Sequence, residues 1–246
     1  MHLKRASLGA ILLLAMLVAD PLVVRAAFVP WTNPSGSNGL ISWSGGGSTD
    51  DLWGSPTVSG LTFTFHPDQF RANSSNGNAV TTDGMLRFDV DILATNPNTN
   101  QPLPLQGFRI DELGSYSILG IGNVQATGLL VVSNRDNFGQ VYTDTLHTVA
   151  PLGGFPVSVG SPSGSAAGAW NGFMEVTAVQ LIGTDIIHFT ITVDNTLQAT
   201  SVAGSTSFID KKLAGAGIQI SIVLPEPSTL GLLASGLPVL LRRRRK

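Results

Sequence analysis

Apolar and polar residues alternate along three segments of the chain, residues 57–66, 85–92 and 186–193. The clearest segment is 85–92. Every second residue is apolar (Leu86, Phe88, Val90 and Ile92), and the residues between them are charged (Arg87, Asp89 and Asp91); we call these two sets the apolar and polar phases. A period of two puts successive side chains on opposite faces of a strand, and no helix produces it. We therefore predict half-buried β-strands at these three segments.

Weaker alternation predicts further strands, and clusters of Asn, Gly, Pro and Ser separate them. These strands span residues 105–110, 116–121, 128–133, 140–148, 174–181 and 217–223. The turn-rich segments between strands include 73–78, 95–104 and 158–168. About ten short strands with turns between them favour a two-sheet β-sandwich of jelly-roll-like topology. We predict one all-β domain over residues 27–223, preceded by a signal helix and followed by a short hydrophobic helix.

The N-terminal segment has the organisation of a secretory signal peptide. Lys4 and Arg5 precede an apolar run at residues 8–19, which is too short to span a bilayer comfortably. Small residues then favour cleavage between Ala26 and Ala27. The expected partners are the Sec translocon and signal peptidase; the alternative is a retained membrane anchor.

The C-terminal segment, residues 224–246, combines three parts in a fixed order. Pro225, Glu226 and Pro227 form a tripeptide that cannot be helical, because proline lacks the amide donor and restricts its neighbour. An apolar stretch follows at residues 230–241, and a basic cluster follows that at 242–246. Such a cluster favours the cytoplasmic side of a membrane.

This arrangement resembles the sorting tail of PEP-CTERM proteins, which an exosortase, a membrane cysteine protease-transpeptidase, recognises. The resemblance covers residues 224–246 and implies recognition at Pro225, Glu226 and Pro227. It implies a membrane segment that includes Leu230, Leu232, Leu233, Leu237, Val239, Leu240 and Leu241. It implies a cytoplasmic basic cluster of Arg242, Arg243, Arg244, Arg245 and Lys246. The family is associated with exopolysaccharide and biofilm matrix, which implies delivery to the cell surface or exterior. Pro238 interrupts the apolar stretch, which is shorter than is usual in that family.

Composition and charge narrow the function classes. The 246 residues include no cysteine, which excludes disulfides, thiolate nucleophiles and Cys-ligated zinc. Only 12% are charged, about half the usual share. Residues 27–223 contain fourteen acidic and six basic side chains, a net charge near −8. Because such a body repels phosphates, we expect no nucleic-acid partner.

No catalytic motif of a serine hydrolase, nucleotide-binding enzyme, zinc protease or kinase is present. His66, His147 and His188 could form a metal triad, but exposed positions on strand faces are the favoured interpretation. Asp89 and Asp91 share a strand face and could serve glycoside hydrolysis; ordinary solvent-facing residues are again favoured.

The remaining candidates would bind calcium or sugar. Asp50, Asp51, Asp111 and Glu112 are expected near turns, where acidic residues cap the chain or bind Ca²⁺. Asn96, Asn98 and Asn100 have the alternate spacing of oxygen ligands but lack the glycine and terminal glutamate of an EF-hand. Trp31, Trp43, Trp53 and Trp170 could stack on sugar rings, although burial in the core is favoured.

The sequence therefore predicts an exported, non-catalytic surface or matrix protein that an exosortase sorts and that associates with exopolysaccharide. No cofactor is required, although calcium is compatible with the acidic turns. The first alternative is a lectin-like carbohydrate-binding module, and the second is a secreted glycan hydrolase.

Overall fold

The computed structural model describes residues 27–151, 153–212 and 217–225. Within these ranges the chain forms sixteen β-strands and no helix, so it also contains no helix that could span a membrane. The strands are β1 (Phe28–Pro30), β2 (Gly36–Ser37), β3 (Ile41–Thr49), β4 (Thr57–Ser59), β5 (Thr62–Phe65), β6 (Arg71–Ser75), β7 (Ala79–Ile92), β8 (Gly107–Leu119), β9 (Gly122–Asn134), β10 (Val141–Thr145), β11 (His147–Ala150), β12 (Val157–Val159), β13 (Ser165–Val176), β14 (His188–Ser201), β15 (Thr206–Asp210) and β16 (Ile218–Val223).

The strands form two antiparallel sheets that pack face to face. Sheet A has the order β1-β3-β7-β14-β9-β10, with β2 paired to β3 and β12 paired to β9. Sheet B has the order β11-β13-β8-β16-β5-β4, with β15 paired to β8 and β6 paired to β15. The chain crosses repeatedly between the sheets, as from β7 to β8 to β9 and from β13 to β14 to β15. The predicted all-β, two-sheet, jelly-roll-like sandwich is confirmed.

The core lies between the sheets and follows the period-two pattern. In β7 the apolar phase of residues 86–92 is buried, and in β14 Phe189, Ile191 and Val193 are buried beside it. Aromatic rings fill one part of this core: Phe63 and Phe88 have centroids 4.7 Å apart, and Trp31 lies 5.1 Å from Phe88. Burial of these alternating apolar side chains is the main force that holds the sheets together.

Several predicted boundaries are wrong. Segment 57–66 is not one strand but the hairpin β4–β5, because Gly60 takes a positive φ of 56° and reverses the chain. Segments 105–110 and 116–121 belong to one long strand, β8. Segment 140–148 divides into β10 and β11, which lie in different sheets. Part of the expected loop at 158–168 belongs to β13.

The two predicted terminal helices lie outside the described residues. The described chain leaves β16 through Leu224, which packs partly against the core, and Pro225.

Candidate functional site

The residues of the predicted sorting tail lie outside the described chain, apart from Leu224 and Pro225. β16, which precedes them, lies between β8 and β5 inside sheet B. Pro225 is thus two residues beyond a strand held on both sides. Near the start of β1, the backbone amide of Ala27 donates to Oδ1 of Asp50 at 3.0 Å.

The tryptophans do not form a sugar-stacking surface. Trp31, Trp53 and Trp170 are buried, and Trp43 is half-buried with its ring edge-to-face against Phe63. Burial, the favoured interpretation, is confirmed for the first three. The stacking hypothesis is wrong for them, because their rings pack between the sheets.

The histidines and acidic turn residues are dispersed. Within the described ranges, no three His, Asp or Glu side chains lie close enough together to hold a metal ion. His66 and His147 are exposed. In the 95–104 loop, Oδ1 of Asn96 accepts from the amide of Asn98 at 2.9 Å, which closes a local turn. Asp50 and Asp51 do lie in a turn.

Asp89 and Asp91 face outward from sheet A and contact Arg135. Nη1 of Arg135 lies 3.9 Å from Oδ2 of Asp89, and Nη2 donates to Oδ1 of Asp91. Strand hydroxyls complete the arrangement: Thr190 donates to Asp89 at 2.5 Å and Ser42 donates to Asp91 at 3.4 Å. These contacts are those of a solvent-facing ion-pair network that joins β3, β7 and β14 to Arg135, the residue after β9. Because both carboxylates are engaged by one guanidinium, the geometry does not favour a hydrolase acid–base pair.

A groove borders this network on the same outward face. It encloses about 470 Å³ and is lined by Phe28, Gly45, Met85, Arg87, Phe88 and Asp89; we call it the outer groove. Phe28 is 44% exposed, so an apolar residue, a cation and a carboxylate line one depression. Asp194, paired in register with Met85, lies on the same face. Burial raises the pKa of Asp194, and the neighbouring Asp83 carboxylate adds to the rise.

A second group of polar side chains, in the core, was not predicted. Glu112 was expected near a turn, but it lies within β8 and is buried. One oxygen of its carboxylate accepts from Nζ of Lys211, and the other accepts from Nδ2 of Asn195. We call Glu112, Asn195 and Lys211 the buried polar cluster. All three are at most 1% exposed.

The sequence contains a signal for this cluster. Glu112 continues the inward phase of Phe108 and Ile110, and Asn195 continues the inward phase of Ile191 and Val193. A polar residue in the core phase of a strand must find a buried partner. The partner, Lys211, follows β15, a strand that the alternation analysis did not identify.

No family model and no curated protein matches the chain. Among solved structures, it is similar to TmCBM61 in complex with β-1,4-galactotriose, at 12% identity and a TM-score of 0.21 over 79% of this chain and 97% of that chain. It is similar to a loop-swap mutant of Necallimastix patriciarum Xyn11A, at 10% identity and a TM-score of 0.23 over 81% and 100% of the two chains. It is also similar to a carbohydrate-binding module of the β-sandwich superfamily, at 10% identity and a TM-score of 0.16 over 82% and 98%. At scores this low, the similarities establish neither a family nor a shared function.

Proposed function

We propose that this chain is an exported, non-catalytic β-sandwich protein that an exosortase-like membrane enzyme sorts to the cell surface or exterior, among exopolysaccharide. The observation that supports it is the order of parts in residues 225–246: a Pro-Glu-Pro tripeptide, an apolar stretch and a basic cluster. The basic cluster holds the segment at the cytoplasmic face, and the apolar stretch enters the bilayer. The extended tripeptide then lies outside the membrane, where a protease can bind it.

The position of Pro225 agrees with this role. Pro225 follows β16 by two residues, so cleavage there would release the sandwich with its last strand intact. At the other end, Asp50 is placed to pair with a new α-amino group at Ala27 if signal peptidase cuts before that residue. Both processing steps would therefore leave sheets A and B complete.

The test compares surface delivery in a Gram-negative host that encodes an exosortase with delivery in the same host after deletion of that gene. The full chain, a variant with Ala at 225, 226 and 227, and a control with Ser228→Ala and Thr229→Ala are each fractionated and analysed by mass spectrometry. We expect the wild type and the control to reach the surface without residues 242–246. The triple variant, and every chain in the deletion host, should keep those residues and stay with the inner membrane. Surface protein that retains the arginine cluster would refute the proposal.

A second candidate function is saccharide binding at the outer groove. The specific observation is an exposed aromatic residue, Phe28, that lines one depression together with the charged residues Arg87 and Asp89. Aromatic faces stack on sugar rings. A carboxylate accepts hydrogen bonds from sugar hydroxyls, and a guanidinium donates to them. Such a module would bind glycans on the surface to which the tail delivers it.

A glycan array with and without calcium tests this candidate. If the outer groove binds sugar, Phe28→Ala and Asp89→Asn each reduce binding at least tenfold. Gln198→Ala, on the same strand face of sheet A but outside the groove, should leave binding unchanged. Equal loss in all three variants, or no binding by the folded wild type, rejects the groove as a sugar site.

A further inference from the structure

The buried polar cluster places an amine, a carboxamide and a carboxyl group together in the core. Lys211 and Asn195 both donate to Glu112, one to each carboxylate oxygen, so one carboxylate holds both the amine and the amide. Among the described residues, Oδ1 of Asn195 has no hydrogen-bond partner although it is buried. A fully hydrogen-bonded structural cluster would not leave this oxygen unpaired.

Glycines provide the space for the cluster. Asn195 pairs in register with Gly84 on β7 and with Gly128 on β9. A Cβ at Gly128 would lie 2.2 Å from Oδ1 of Asn195, and a Cβ at Gly84 would lie 2.5 Å from the Phe70 ring. Neither side chain could keep its position if these residues were alanine. The neighbouring backbone is thus adapted to this carboxamide and its aromatic surroundings.

Aromatic rings enclose the amine. Nζ of Lys211 lies 5.2 Å from the Trp53 ring, 5.3 Å from Phe70 and 5.5 Å from Trp170, and all three rings are buried. The rings exclude water. Burial lowers the pKa of Lys211, although Glu112 opposes the change. A lower pKa favours the neutral amine, which is the nucleophilic form.

We propose that Lys211 and Asn195 become joined by an intramolecular isopeptide bond, with Glu112 as the proton-transfer residue. Glu112 accepts a proton from Nζ of Lys211, and the neutral amine attacks Cγ of Asn195. The carboxyl group of Glu112, which contacts Nδ2, donates the proton to that nitrogen and then accepts a second proton from Nζ of the tetrahedral intermediate, so Glu112 ends protonated. The Nζ–Cγ bond forms, the Cγ–Nδ2 bond breaks, and ammonia leaves. No oxidant, metal or cofactor takes part, because the reaction is a transfer of an acyl group from one nitrogen to another.

The energetics favour this outcome over a permanent ion pair. A buried Lys–Glu pair must overcome the desolvation of two charges, and it often contributes little net stability. The reaction replaces that pair with a neutral amide and a protonated carboxyl group that can donate to the new carbonyl. Proximity supplies the rate, since the amine and the carboxamide already contact the same carboxylate in the folded chain. The bond links β14 of sheet A to the segment that follows β15 of sheet B.

Peptide mapping of the purified full chain tests the proposal directly. Asp-N protease cuts before Asp194 and Asp210, and trypsin cuts after Lys212, so Asn195 and Lys211 fall on different peptides. We expect residues 194–209 to be recovered joined to residues 210–212, with a total mass lower by one ammonia molecule. Trypsin should not cut after the modified Lys211. Recovery of the two peptides as separate linear species, with cleavage after Lys211, from protein that melts cooperatively overturns the proposal.

Variants separate the chemistry from folding. Glu112→Gln keeps the shape of the side chain and removes the proton carrier, so the joined peptide should fall at least a hundredfold. Glu175→Gln, a half-exposed glutamate in the neighbouring strand β13, should form the joined peptide fully. Efficient joining in Glu112→Gln would overturn the role of Glu112. Because the wild-type map needs no variant, a poorly folded Glu112→Gln protein does not weaken the test. The outcome is independent of where the protein is delivered.

Discussion

Asp144 is a single side chain that connects the edges of the two sheets. It lies on β10 of sheet A and accepts from the backbone amide of Glu175, on β13 of sheet B, at 2.8 Å. Nε2 of His147 lies 2.9 Å from its other oxygen. Burial by itself raises the pKa of Asp144, but the hydrogen bonds from Glu175 and His147 outweigh it, and the pKa lies below its ordinary value. The folded chain therefore stabilises the ionised form of Asp144 relative to the unfolded chain.

Replacement of Asp144 tests this connection. Asp144→Asn should lower the free energy of unfolding by about 1–2 kcal/mol at pH 7, because the amide accepts a weaker hydrogen bond than the carboxylate. A lowered pKa gives stability that is present above the unfolded pKa and is lost as the pH falls through the folded value. The difference between the two proteins in urea unfolding should thus decrease from pH 7 to pH 3.

A control for this measurement is Asp136→Asn. Asp136 also contacts a histidine, His188 at 3.2 Å, but it is solvent-exposed and lies in a turn. Its replacement should change the free energy of unfolding by less than about 0.5 kcal/mol. A pH-independent effect at Asp144, or equal effects at both positions, would contradict the role given to the sheet-to-sheet hydrogen bond.

At the scale of the strand, the period-two signal identified the second half of β7 and the first half of β14, because one face of each half is apolar without interruption. The signal failed where inward-facing positions hold polar residues or glycine instead of large apolar residues. In β8 the inward positions after Ile110 are Glu112 and Gly114, so the pattern ends although the strand continues. A local pattern could not predict these two inward positions, because Glu112 and Gly114 pack against Lys211 and Trp170, which are distant in sequence.

β3 was missed for a related reason. Its sequence contains Gly45, Gly46 and Gly47, residues that normally weaken a strand. In the structure they form an irregularity in the pairing with β7, between Ser44 and Gly47, and Gly45 has a φ of 62°. At Gly46 the reason is a tertiary contact, since a Cβ there would lie 2.1 Å from the Trp31 ring. The outer groove also depends on tertiary contacts. Its residues come from β1, β3 and β7, so no local sequence pattern could predict it.

Gly46→Ala tests the packing of this bulge. The added methyl group must displace the buried Trp31, so the free energy of unfolding should fall by about 1–3 kcal/mol. Gly160→Ala is the matched control, because a Cβ at Gly160 meets nothing within 4 Å and its φ is not positive. Urea denaturation measures both. A neutral Gly46→Ala variant would show that Trp31 can move without cost and that the glycines serve another purpose.

At the scale of the whole molecule, the order of strands delays completion of the fold. β14 pairs with both β7 and β9 in sheet A, and β16 pairs with both β8 and β5 in sheet B. Both strands come from the last quarter of the chain, so neither sheet is continuous until that part is available. Folds built from such non-local pairs form slowly.

Two truncations separate the sandwich from the sorting tail. Removal of residues 218–246 deletes β16 and its buried Ile218, Ile220 and Ile222, so the product should lose cooperative thermal unfolding and expose apolar surface to a hydrophobic dye. If residues 224–246 are a handle for delivery and not part of the domain, removal of 226–246 should leave the melting temperature unchanged. Circular dichroism melts of both products, beside the full chain, measure the contrast. A large loss of stability on removal of 226–246 would mean that the tail packs on the sandwich, and the assignment of those residues to an exosortase would then fail.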